Sequence, residues 1–278
     1  MTTKGNTTTA APSDETALAN WDEELARQAA VAAEQEASTG GDYFSLRGGQ
    51  LKLHGLNLLD NQMAVIILDF IKVNAFYDGP FDPETPQTPL CYALGRDEKL
   101  LAPHEQAERP QHEGCAKCPH NQWGSLVVNS VARRGKECRN LRRLLLIPGG
   151  SLLNGEHQAP ATTDQILQAP MAYLSVPPTS VKIFSTYVTT LNARKLPPRA
   201  VYTKVRLLPD TKTVYKLEFT PLGPVPRELI GAMMQRAQEA EALIAHPFPA
   251  RNADAGGAPA AAGGGKAAPK GPPKRRKY

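Results

Sequence analysis

The chain has 278 residues, a formal net charge of +5 and a pI near 9.0. That length allows one large or two small domains. Its longest apolar run, Met63 to Leu68, is strand-sized, which excludes a membrane-spanning helix and points to a soluble, cytoplasmic protein (host cytoplasm if viral).

The charge is unevenly placed. Asp14, Glu15, Asp22, Glu23, Glu24, Glu34 and Glu36 face only Arg27 in the first stretch, whereas the middle and far end are basic. Such asymmetry suits an anionic partner, most often nucleic acid. Residues 1–13 are rich in Thr, Ala, Gly and Pro and are expected to be disordered. Leu18, Trp21, Leu25 and Ala29 fall at helical spacing between acids, so residues 14–36 read as a thin amphipathic helix. Residues 1–40 thus form a flexible acidic arm.

Strands follow. Tyr43–Leu46 and Leu51–Leu53 flank a Gly48-Gly49 turn, and Ala64–Ala75 reads as a long Val-, Ile- and Phe-rich strand, the spine of a sheet or barrel. Pro80, Pro83, Pro86 and Pro89 then open an insertion at about residues 88–140. Leu141–Ile147 returns to strand and ends at Pro148-Gly149-Gly150. Residues 150–168 read as loop and Met171–Val176 as a short strand. A helix capped by Thr179 or Ser180 carries Val181, Phe184, Val188 and Leu191 on one face. Val201–Leu208 and Thr213–Phe219 form a hairpin. Val201, Thr203, Val205 and Leu207 point one way, and Tyr202, Lys204 and Arg206 the other. From Pro226 to about Ala245 a helix shows Leu229, Ile230, Met233, Met234, Ala237 and Ile244 as its apolar stripe. Residues 248–278, ending in KAAPKGPPKRRKY, are a disordered basic tail.

The insertion holds all four cysteines: Cys91, Cys115, Cys118 and Cys138. Cys115-Ala116-Lys117-Cys118 can offer two thiolates from one tight turn, and Cys91 and Cys138 two more from flanking segments. Four thiolates are a common structural zinc set, and a closed set leaves no position for a reactive water. His104, His112 or His120 could stand in for one cysteine. Disulfides are disfavoured, since no signal peptide precedes the cysteines and a reducing compartment is expected. Pro119 follows the pair instead of preceding it, and no H-x-E occurs, so a zinc deaminase is excluded. H-E-x-x-H, the phosphate loop and the G-x-S-x-G elbow are also absent; Gly263-Gly264-Gly265-Lys266 has the wrong spacing. The chain reads as a non-enzyme.

Arg133, Arg134, Lys136, Arg139, Arg142 and Arg143 crowd together with Glu137 as the only acid. Such a cluster repels itself unless an anion offsets it, and phosphates do so with release of counterions. Trp123, just beyond the CxxC turn, can stack a base or pack over the site. Tyr202, Lys204 and Arg206 combine a ring with two cations, as single-strand binders do.

The order of short strands, a cysteine insertion closed by GKECRNLRR and a strand leading into VPPTSVKIFSTYV resembles phage zinc-containing single-stranded DNA-binding (helix-destabilising) replication proteins. The resemblance covers about residues 41–222. It implies a mainly β (α+β) fold with an OB-like barrel, a zinc insertion, and sequence-tolerant single-strand binding in DNA replication, recombination and repair. Residues 41–222 would then be the binding core and 223–247 a C-terminal helix. Two features depart from that family. Its members often use a histidine ligand where four cysteines suffice here, and they usually end in an acidic tail where this chain ends in Lys274-Arg275-Arg276-Lys277. The other expected roles are a strand-annealing recombination mediator and a zinc-ribbon adaptor for replication or transcription proteins.

Overall fold

The computed structural model describes residues 42–77, 88–128, 131–160, 162–211 and 213–248, with Trp21, Glu24, Leu25, Arg27 and Gln28 ahead of them. Those five positions are helical; the rest of the expected 14–36 helix lies outside the described residues, as do residues 1–13 and the tail beyond Phe248.

The strands in chain order are β1 (Asp42–Tyr43), β2 (Lys52–Leu53), β3 (Leu56–Asn57), β4 (Gln62–Phe76), β5 (Cys91–Gly95), β6 (Val127–Val128) and β7 (Val131–Ala132). After them come β8 (Arg139–Pro148), β9 (Ser151–Leu153), β10 (Glu156–Gln158), β11 (Ala172–Val176), β12 (Val201–Asp210) and β13 (Val214–Pro224). Three helices are described: α1 (Thr163–Leu167), α2 (Pro178–Ala193) and α3 (Ile230–Leu243). None of the described helices is long and apolar enough to cross a membrane.

β4 is the spine. Its Val- and Ile-rich sequence suits a strand buried on both faces, and its 15 residues are mostly buried. β8 pairs along one edge, from Val65↔Pro148 to Ala75↔Arg139. The other edge is shared: β12 takes Gln62–Ile66 and β5 takes Lys72–Phe76. The path β1-β11-β8-β4-β12-β13 is antiparallel except for the parallel β1–β11 pair, and it is open. The expected barrel is therefore corrected to an open mixed sheet. Among the described residues no pairing joins its end strands, and helices cover both faces instead of the sheet closing on itself.

A bulge between Ile67 and Asp69 shifts the side-chain phase of β4. Before it, Ile66 and Leu68 join the core under α3 while Val65 and Ile67 join the core under α2. Beyond it, Ile71, Val73 and Ala75 face α3. By alternation, Lys72, Asn74 and Phe76 take the α2 side.

α2 begins two or three residues earlier than the sequence suggests. Pro177 is its N-cap and Pro178 its first residue, so neither Thr179 nor Ser180 caps it. Ser180 is instead fully buried, and its Oγ accepts from the Leu217 amide of β13 at 2.9 Å. Phe184, Tyr187 and Leu191 are the helix's buried apolar face. α3 is entered through a 3-10 turn at Arg227–Leu229 and buries Ala232, Met233, Ala237 and Ala240; Met234 is exposed. The stretch expected as loop at 150–168 contains the β9–β10 hairpin and α1. The start of α1 is fixed by a capping box between Thr162 and Gln165.

Candidate metal centre and adjoining basic surface

The far end of β4 gathers the cysteines. Phe76 is registered against Cys91 on β5, and its neighbour Ala75 against Arg139, the residue after Cys138. Cys91 thus arrives on one flanking strand and Cys138 immediately before the other. The other two sit in a turn held from both sides. The Cys115 amide donates to Leu101 O at 2.9 Å, and the Cys118 amide to Cys115 O at 3.4 Å. A 3-10 turn at Pro119–Asn121 follows, and the Cys138 amide closes onto His120 O at 2.8 Å. All four cysteines are free and buried. They line one cavity of about 20 Å³ with Asn74, His112, His120 and Asn121 among its walls. Among the described residues no three His, Cys, Asp or Glu side chains form a ready-made coordinating group, so the sulfurs share a cavity and not a finished tetrahedron.

Without a cation the surroundings favour the neutral thiol. Burial pushes the Cys138 thiol up to about 12, and the other three cysteines add to the effect. Burial also raises Cys91 and Cys115, each pushed further by a neighbouring cysteine. These three thiols stay protonated near neutrality unless a cation draws the charge out. Asn74 Nδ2 is buried and makes no complete hydrogen bond, yet it lies near enough to Cys115 to oppose the upward push there. Asn121 Nδ2 donates to Cys115 O at 2.9 Å, Gln122 Nε2 to Cys118 O at 3.0 Å, and Asn140 Nδ2 to both Asn74 Oδ1 and Asn121 Oδ1. This amide network holds the CxxC turn against β4 and β8. Single-sequence reading missed it, because asparagines at positions 74, 121 and 140 carry no spacing signature.

The histidines divide. His104 stacks on Tyr92 and is not in the cavity wall. His120 Nδ1 meets Glu137 Oε2 at 2.7 Å while its ring packs against Phe76, and His112 Nδ1 lies 3.1 Å from Gly114 O.

The basic cluster separates into three environments. Arg133 and Arg134 are exposed, next to the β6–β7 hairpin. Trp123 is 75% exposed at the hairpin's base, so it does not pack over the cysteines. Val127 and Val131 on the same hairpin are also exposed. The hairpin is tied to the CxxC turn through Ser125, whose hydroxyl donates to His120 O and accepts from the Glu137 amide. Lys136 donates to Asn121 Oδ1 at 3.3 Å, Arg139 lies over the Tyr77 ring, and Arg142 is half-buried with Nη1 on Leu141 O.

Arg143 must be corrected as a surface residue. It is 1% exposed, donates to Ile244 O and His246 O, and lies over the rings of Phe248 and Tyr173. Tyr202 is corrected likewise: it is 3% exposed within the core under α3, edge-on to His157. The alternation of β12 was read properly, but α3 and its entry turn cover the face that Tyr202 occupies. Lys204 is half-buried and Arg206 exposed farther along. They pair with Ala64 and Gln62, roughly 40–45 Å along β4 from the cysteine end, so the two candidate surfaces are not brought together.

No protein-family model, curated protein or solved structure matches the chain.

Proposed function

We infer that this chain is a non-enzymatic single-stranded DNA-binding protein whose four cysteines hold a structural zinc ion. The role would be that of the phage replication, recombination and repair proteins it resembles. The observation that carries the reading is the exposed Trp123 standing on a hairpin with the exposed Arg133 and Arg134, anchored to the CxxC turn through Ser125. Phosphates in duplex or single strand attract the two arginines, but only unpaired bases offer faces to the indole. The zinc would be held by Cys91, Cys115, Cys118 and Cys138, which surround one cavity without an intervening carboxylate. Its contribution is to fix the hairpin's base, not to react.

Trp123→Ala should weaken single-strand binding by about 1–3 kcal/mol and leave the salt slope almost unchanged. Arg133→Glu with Arg134→Glu should flatten that slope, because fewer counterions are released. Oligonucleotide titrations at several salt concentrations measure both. Equal affinity for duplex and single strand, with no effect of Trp123→Ala, would overturn the reading. Exposed Val127 and Val131 favour one second reading, a zinc-ribbon adaptor gripping a protein through the same hairpin. An adaptor would show no salt-dependent oligonucleotide binding.

A further inference from the structure

A groove of about 360 Å³ lies between the β2–β3 hairpin, the β9–β10 hairpin and the adjoining ends of β1, β4 and β8. Phe44, Leu53, Leu58, Leu59, Met63 and Leu153 give it an apolar lining. Leu59 and Leu153 are 71% and 50% exposed, so this is a rim of large side chains left facing water. The cost of such a patch marks a surface that something covers.

A candidate cover is carried by the same chain. Trp21 and Leu25 are helical, 64% and 58% exposed, and four positions apart, hence on one face. Leu18 and Ala29 extend that spacing in the sequence. The connection is short: Asp42, in the groove wall, follows Gln28 closely enough that the intervening chain spans at most roughly 45–50 Å when extended. Charge agrees as well. The arm carries Asp22, Glu23 and Glu24; Lys52 on β2 adjoins Leu53 in the groove wall, and the wall's own acid, Asp42, is paired with His54 at 2.8 Å.

We propose that the Trp21–Leu25 face of the acidic N-terminal arm docks into this groove of its own chain. The indole and Leu25 fill the apolar trough, and the carboxylates between them face the rim that carries Lys52. The arm is then a clasp across the start of the β4 spine, and it lies at the opposite end of that strand from the cysteines.

The test uses the full chain with Trp123→Phe, which leaves Trp21 as its single tryptophan, since the sequence has two. Docking predicts blue-shifted Trp21 emission and shielding from acrylamide at every protein concentration. Leu59→Asp with Leu153→Asp, both on exposed rim positions that do not endanger folding, should return emission and quenching to those of a solvated indole. Far-ultraviolet circular dichroism checks that this variant keeps its fold. Free quenching of Trp21 in the unaltered groove overturns the proposal, as does shielding that survives both aspartates. Shielding that vanishes on dilution also overturns it, and assigns the arm to the groove of a second copy.

Discussion

Two kinds of buried side chain decide the chemistry at the residue scale. The thiols are held near one another in a place where the thiolate form is disfavoured, with Cys138 raised to about 12 from an ordinary 9.0. Uptake of the proposed zinc would therefore release protons, and its affinity should rise with pH through the neutral range; proton release in weakly buffered solution measures this. A raised thiol value in the folded state also fixes the sign for metal-free protein. Its contribution to stability is complete below about pH 9 and is lost as pH climbs towards 12, which alkaline unfolding should show. Cys115→Ser should lower zinc content well below one per chain by metal analysis. Arg143 behaves differently from its basic neighbours. It is buried with two backbone acceptors, and Nε and Nη2 have no partner. Arg143→Ala removes a packed side chain and strands two carbonyls, so it should destabilise by about 2–4 kcal/mol in urea unfolding. It should leave the salt slope of binding unchanged, since its charge does not meet the solvent.

At the element scale, what was legible depended on whether one element sufficed to define it. β4, β8, α2, α3 and the β12–β13 hairpin announce themselves through their own periodicity. The fate of Tyr202 did not, because alternation says that Tyr202 and Arg206 share a face but not that a later helix covers one and leaves the other wet. α1 was missed although Thr162 and Gln165 carry its capping signature, because the prolines and glycines around it read as loop. The β9–β10 hairpin hid in that same stretch. Its entry depends on Gly150, at φ 105°, where a Cβ would stand 2.0 Å from Gln158 O. Gly150→Ala should cost about 1–3 kcal/mol by opening the hairpin, readable as a lowered denaturation midpoint. The sequence groups the four cysteines by spacing, and in the fold all four line one cavity. The amide network around them was not, because it is assembled from three remote segments.

The whole molecule is a single long strand dressed differently at its two ends. One end holds β12, β13 and α2 through dense apolar contact; the other holds β5 and the CxxC turn through hydrogen bonds and thiols. Removing the proposed zinc should therefore loosen one end only. Chelation should speed amide exchange across residues 88–138 and leave 201–224 protected, as exchange mass spectrometry would record. The bulge between Ile67 and Asp69 gives this division a further meaning. It works as a half-turn coupling in a drive shaft: both ends share one axis, but the settings of their faces are offset by a single inserted residue. Side-chain count before the coupling fixes which core the α2 end engages, and count after it fixes whether Asn74 and Phe76 meet the thiols or the opposite layer. A length change of one residue at that point would leave each end internally intact while turning the cysteine end over, so the chain can tolerate many substitutions in β4 but not a change in its length.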